Sequence, residues 1–394
     1  IDLNSHKLTA KDDAAIRVLS MFDGSVTVKN GTIEMPGIYE TTTDGNTGAG
    51  MGGLIFVMGD DLVLENVTVK KIATDNMAGD GGIVCLRSAA ASMEMIHATI
   101  QAGIDEKPDA SVGGALRVTN GAKLYMRSGS VIRDGYATGY GGNIAVAGSS
   151  QIYVYDDSLI TGGICDDLGG NIYLGNANAR FHVYHGTISD GEAVKGGNIN
   201  IGGGRFFLYA GTISGGTANE NEGSGVFLKH NTNVYFYLVG GQILHSNPDQ
   251  AFVKGSSAKA RFYNGKTVFD PSAWTPGDCA YVTAPAEGEA LYTVTHVDVE
   301  GMEVTGSTCQ TSGSKKFYCD ICQHSYAYAL PLADHTEVTD EAVAPGCETT
   351  GKTEGKHCSV CGEVLVAQEE IPSTGHSYEG VYTDPTFEAD GYTT

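Results

Sequence analysis

The residues best suited to chemistry crowd the last quarter of the chain. Cys309, Cys319-x-x-Cys322 and His335 are followed by Cys347, Cys358-x-x-Cys361 and His376, with matching positions 38, 39, 39 and 41 residues apart. Two thiolates two residues apart form a knuckle on a tight turn. One distant Cys and one His then complete a tetrahedral set of three sulfurs and one nitrogen, the donor set of a zinc site. A segment of about 40 residues with little apolar content holds no core unaided, so the zinc is expected to be structural, one ion per repeat. Disulfides are the competing use of these thiols, although three Cys per repeat leave one unpaired. His324 and His357 are alternative imidazole donors.

Catalytic chemistry is harder to place. A lyase acting on uronates needs a Lys or Arg base facing a group that neutralises the carboxylate. Here Arg133, Arg180, Lys195, Arg205 and Lys229 stand singly. Hydrolysis of a glycosidic bond needs carboxylates converging at about 5 to 9 Å. Asp134, Asp156/Asp157, Asp166/Asp167 and Asp190/Glu192 are the available acids, and they fall among turn residues. The same acids could offer oxygens to Ca²⁺, but no calcium-loop consensus is present.

The elements that position these groups follow from composition and period. The chain has 394 residues, with 47 acidic against 24 basic side chains and a formal charge of −23. That balance disfavours nucleic acid and anionic lipid as partners. No apolar run approaches the roughly 20 residues of a spanning helix. With 55 Gly in the chain, a helical bundle is also disfavoured. No secretory signal precedes Ile1 and the first residue is not Met, so the chain reads as a mature or excised fragment.

A Gly pair or its near relative recurs at Gly52, Gly81, Gly113, Gly141, Gly169, Gly196 and Gly223, at intervals of 27 to 32 residues. Three and five residues on stand Ile55/Val57, Val84/Leu86, Leu116/Val118, Ile144/Val146, Ile172/Leu174, Ile199/Ile201 and Val226/Leu228, all aliphatic. Alternation by two is strand spacing. A second alternating stretch follows, with pairs such as Leu124/Met126, Ile152/Val154, Phe181/Val183, Phe206/Leu208 and Val234/Phe236. Gly186-Thr187-Ile188 and Gly211-Thr212-Ile213 mark a third element. Two or three strands per unit cannot bury an apolar face alone, whereas stacked copies can. The fold class is therefore all-β, a right-handed parallel β-helix of about 28 residues per coil with small C-terminal Cys/His modules. Propeller blades would need about 40 residues or more. Asn143, Asn171 and Asn198 share one turn position, and stacked amides can bond along the axis; Asn also tolerates the left-handed backbone of a turn.

If Ile152 and Val154 point inward, their neighbours point outward. The outward pairs are Tyr125/Arg127, Tyr153/Tyr155, His182/Tyr184, Phe207/Tyr209 and Tyr235/Tyr237, which would form two columns along one face. One reading is a flat platform for sugar rings or a partner surface, with Tyr hydroxyls, His182 and Arg127 hydrogen bonding. The other is a ladder that stabilises adjacent strands.

The runs GGNIAV, GGNIYL, GGNINI, GTISDG and GTISGG resemble the right-handed parallel β-helix repeats of Gram-positive gut-bacterial surface proteins. More distantly they resemble pectate-lyase-like enzymes and autotransporter passengers. The tail, with His357-Cys358-Ser359-Val360-Cys361-Gly362, resembles tandem CxxCG-type modules near the C-termini of Firmicutes surface proteins. The resemblance implies an extracellular, secreted or wall-displayed protein that binds a glycan or a host or bacterial surface protein. The alternatives it leaves are a polysaccharide lyase or glycoside hydrolase, and a purely structural surface fibre. The expected organisation is a β-helix over 1–270, a cap or linker over 271–306, Cys/His repeats over 307–340 and 341–378, and the start of a third over 379–394.

Overall fold

The computed structural model describes residues 1–9, 16–18, 25–35, 54–72, 78–103, 109–219, 222–245, 252–254, 257–263, 268–269, 280–283, 290–294, 303–318, 325–330, 332–389 and 391–393. The chain divides into two compact units, Ile1–Glu300 with Phe317–Tyr326, and Gly301–Lys316 with Ala327–Thr394.

The first unit is a parallel β-solenoid of about seven turns, with no helix among the described residues. One coil shows the pattern: strands Ile144–Val146, Gln151–Val154, Ser158–Thr161 and Ile164–Leu168. Each pairs in parallel with its counterpart one coil on, Ile144 opposite Ile172, Ile152 opposite Phe181, Ile160 opposite Ile188 and Cys165 opposite Ala193. Among the described residues the first three strands of the coils belong to a 26-stranded sheet, and the fourth strands of five successive coils form a separate 5-stranded sheet.

The recurrent Gly pair turns the chain from the fourth strand into the next coil. Gly141 holds φ at +65°, and a Cβ on Gly142 would lie 2.2 Å from the Gly170 carbonyl oxygen of the next coil. Only glycine fits both demands, a left-handed backbone and a close approach. The aliphatic pairs that follow are the core: Ile144, Val146, Ile152, Val154 and Ile160 are at most 1% exposed. Each such burial contributes about 1.5–3 kcal/mol, and only against neighbours above and below. Phe181, Phe206 and Phe236 stack inside the coil at 5.0 and 5.4 Å.

Five successive coils carry a fourth strand where the sequence pattern shows two or three. The fourth strand points Ala110, Ala137, Cys165 and Ala193 inward. These are small residues, and the strand pairs with register shifts, so no run of large apolar alternation announces it.

The amide ladder is present. Asn143 Nδ2 donates to Asn171 Oδ1 at 2.6 Å and Asn171 Nδ2 to Asn198 Oδ1 at 2.8 Å. Each Oδ1 also accepts a backbone N–H, from Gly135, Gly163 and Gly191 respectively, and each Nδ2 donates to a carbonyl at Thr161, Ser189 or Ser214. All three amides are fully buried, which this set of partners permits. A buried ion pair, Lys71 Nζ to Asp109 Oδ1 at 2.9 Å, lies within the same unit.

Parallel stacking ends in a change of direction. The strand Ala290–Val294 runs antiparallel to Gly241–His245, with Ile243 opposite Tyr292, and antiparallel to Ala280–Thr283. It covers an edge that would otherwise offer free backbone groups. Most of Pro271–Gly306, read as a cap or linker, lies outside the described residues.

The second unit is built of short antiparallel pairings: Glu303–Thr305 with Ser314–Lys316, Glu337–Asp340 with Gly355–Cys358, Gly351–Lys352 with Glu370–Ile371, and Tyr382–Thr383 with Tyr392–Thr393. Its apolar side chains Val360, Val364, Val366 and Val381 are exposed. A unit with so little core needs another source of cohesion.

Candidate metal centre and aromatic face

Cys309 sits at the tip of the first hairpin, where the Thr308 N–H donates to the Thr311 carbonyl at 2.8 Å. The Ala333 N–H donates to the Thr308 carbonyl at 3.0 Å, which brings the segment leading to His335 alongside. Cys358 closes the strand Gly355–Cys358, and the chain folds back so that the Gly362 N–H donates to the Cys358 carbonyl at 2.8 Å. Gly362 is left-handed at +75°, which makes the tight knuckle possible.

These elements bring Cys309, His335, Cys358 and Cys361 together, their ligand atoms all within 4.8 Å of one another. Cys309 Sγ lies 3.7 Å from Cys358 Sγ, and Cys361 Sγ lies 3.4 Å from His335 Nδ1. A tetrahedron with Zn–S bonds of about 2.3 Å has S···S edges of about 3.8 Å, whereas a disulfide needs about 2.05 Å. The spacing is that of ligands around one ion. His335 Nε2 faces Glu363 Oε2 at 3.4 Å, the kind of outer carboxylate that orients a ligating imidazole. Glu363 escaped the sequence reading, its one signal being its place beside Gly362 after the knuckle.

Electrostatics agree with a cation-shaped site. Burial alone would raise the Cys358 thiol, but the N–H groups of Cys361 and Val360 and the side chain of His335 hold it down to about 6. Burial, together with the neighbouring Cys361 and Cys358, pushes the Cys309 thiol up to about 12. Three thiolates cannot coexist here without a positive charge among them.

The ligands come from two repeats, whereas the sequence grouped Cys309, Cys319, Cys322 and His335 as one set and Cys347, Cys358, Cys361 and His376 as another. The Cys and His of the first copy are joined by the knuckle of the second. Cys347 is exposed, and His376 bonds through Nε2 to Glu348 Oε1 at 3.0 Å. Cys319 and Cys322 lie outside the described residues. Cys85 and Cys165 are buried in the solenoid.

On the solenoid, one column of rings runs Tyr125, Tyr153, His182, Phe207, Tyr237, with centroids 5.0, 5.1, 4.7 and 4.6 Å apart and planes within 9°. A second runs Tyr155, Tyr184, Tyr209, at 5.0 and 4.7 Å. Arg127 starts the second column, its guanidinium carbon 4.6 Å from the Tyr155 ring centroid and its Nε bonded to Glu94. The coil of Val234–Leu238 is shifted by two residues relative to the sequence pairing: Phe207 faces Tyr237, and Tyr235 faces Arg205. Tyr235 therefore leaves the column and takes the Arg205 guanidinium on its ring at 5.0 Å.

The rings stack face to face along the strand-stacking direction, so their faces cover one another. Of the two readings of the sequence, platform and ladder, the geometry is that of the ladder: the rings cover one another, Tyr155 and Tyr237, expected to face outward, are buried at 7% and 9% exposure, and the Tyr153 hydroxyl bonds to Gln151. Burial pulls His182 down to about 4, with Arg180 adding to the effect. The turn acids have backbone reasons for their places, since Asp134, Asp156, Asp157 and Asp190 all have φ between 50° and 61°. Asp166 accepts the Tyr136 hydroxyl at 2.8 Å, a bond that pushes that phenol up to about 12.

Fold and site together define a parallel β-solenoid protein with a C-terminal Cys3His metal-binding geometry. In comparisons with known proteins the chain matches no family model, no curated protein and no solved structure.

Proposed function

We propose that this is an extracellular, surface-displayed binding protein without a catalytic role, whose aromatic ladder engages a glycan or a surface protein of host or bacterium. The Cys/His tail is its zinc-clamped spacer. The observation that carries the reading is the unbroken column from Tyr125 to Tyr237 on one side of five successive coils. Stacking uses the ring faces, so a ligand would meet the edges and hydroxyls of the partly exposed rings Tyr125, Tyr153, Tyr184 and Tyr209, a surface suited to the hydroxyl groups of a glycan. The high acidic charge and the likeness to surface-protein repeats support display outside the cell. In the tail, three sulfurs and one nitrogen at tetrahedral spacing fit zinc better than hard cations, which take oxygen. Bound zinc would supply cohesion to a unit with little core, while the knuckle and Glu363 hold the thiolates and the imidazole in place.

The test is a glycan array with and without Ca²⁺, read for retention and for new reducing or unsaturated ends. Retention without cleavage is expected. Tyr153→Phe with Tyr184→Phe keeps both stacks and removes two hydroxyls, and should weaken retention by about tenfold, a loss of about 1.4 kcal/mol. Unchanged affinity would reject the ladder as the binding surface, and cleavage would move the protein to the enzymes.

A further inference from the structure

The hairpin that carries Cys309 is built twice. Around Cys309, the Thr308 N–H donates to Thr311 O at 2.8 Å and Thr308 O accepts from Ala333 N at 3.0 Å. Around Cys347, the Gly346 N–H donates to Thr349 O at 2.9 Å and Gly346 O accepts from Thr374 N at 3.0 Å. In both copies the residue before the Cys closes the same turn and binds the segment two residues ahead of the His. A glycine stands four residues after each Cys, and at both Gly313 and Gly351 a Cβ would collide with a carbonyl of the opposing strand, Thr305 or Val343. Cys347 and His376 are thus presented by the same scaffold that presents Cys309 and His335.

What differs is the cover. Cys309 is 9% exposed because the Cys358/Cys361 knuckle lies on it. Cys347 is exposed, and the His376 side chain is 46% exposed. A third hairpin follows, with Thr386 N donating to Ala389 O at 2.9 Å, but its tip residue is Phe387. That hairpin brings no thiol of its own to compete.

We propose that Cys347 and His376 are the open half of a second zinc site, completed by a Cys-x-x-Cys dithiolate from another copy of this repeat. Zinc then joins repeat to repeat, each ion taking Cys and His from one copy and the knuckle from the next. This rests on the reading of the first centre as a zinc site. The same dithiolate chemistry has two sources, the Cys319-x-x-Cys322 knuckle of a second chain or a further repeat of a longer chain.

The test uses the full chain with zinc and a synthetic peptide of residues 355–366, followed by native mass spectrometry. Wild type is expected to take up one additional zinc together with one peptide. Cys347→Ser and His376→Ala should each weaken that uptake about 100-fold or more; both sites are exposed, so neither substitution disturbs a core. Peptide capture by Cys347→Ser equal to wild type overturns the proposal. Cys309→Ser should lose the resident zinc yet still capture the peptide, so failure of the first centre is read separately. Sedimentation without peptide distinguishes the sources. Zinc-dependent association abolished by Cys319→Ser with Cys322→Ser identifies a second chain as the donor, and a chain that stays monomeric with zinc yet captures the peptide rules that source out.

Discussion

The sulfurs of Cys309 and Cys358 stand 3.7 Å apart across 49 residues of sequence. The contact crosses the boundary between two repeats, so an ion held there ties the first hairpin to the second knuckle. Cys309→Ser is expected to reduce bound zinc by one ion per chain and to loosen the second unit. Elemental analysis by mass spectrometry, with limited proteolysis of the tail, checks both. A metal-free wild-type tail of full protease resistance would count against the clamp.

Asn171 accepts from Asn143 Nδ2 and Gly163 N and donates to Asn198 Oδ1 and Ser189 O. Truncation to Ala removes four buried hydrogen bonds, each worth about 0.5–1.5 kcal/mol, and leaves the Gly163 N–H without a partner, while Asn143 Nδ2, Asn198 Oδ1 and Ser189 O each keep one, to Thr161, Gly191 and Gly162. Asn171→Ala should therefore destabilise the solenoid by about 3 kcal/mol or more in urea unfolding. The exposed Asn178→Ala serves as a control within about 0.5 kcal/mol of wild type.

His182 lies between Tyr153 and Phe207, and its folded pKa of about 4 is below the ordinary 6.5. The depressed value means the unfolded chain binds the proton first as pH falls. Stability from this group is complete above pH 6.5 and is lost progressively between 6.5 and 4. His182→Phe keeps a ring in the stack and removes the titration. From pH 7 to pH 5, wild type should lose about 2 kcal/mol more than the variant, measured by denaturant unfolding at each pH.

Lys71 and Asp109 are 1% and 0% exposed, and Asp109 also accepts the Tyr136 N–H at 2.9 Å. Burial raises the Asp109 carboxyl despite the lysine beside it. Removing the lysine leaves a buried carboxylate unpaired, a loss of about 3–5 kcal/mol. Lys71→Met should show that loss in thermal or urea unfolding. Lys71→Met with Asp109→Leu should recover a large part of it, and an equally destabilised double variant would show that the pair itself holds the coil.

The sequence alone determined the solenoid. Fourteen aliphatic positions at fixed distance from a recurring glycine, and amides at one turn position in three successive units, have a joint explanation only if like residues lie above one another. Their environments repeat, so their identities repeat. Three features needed the tertiary structure. The fourth strand was hidden because a tight corner takes Ala and Cys, which carry little hydrophobic signal. The shift that pairs Phe207 with Tyr237 was hidden because a slip of two residues preserves which side chains face in. The makeup of the metal centre was hidden for a deeper reason: a periodic pattern looks the same when moved by one period, so spacing cannot say which copy lends its knuckle. Only the path of the backbone, which carries Cys358 and Cys361 back onto Cys309 and His335, breaks that symmetry.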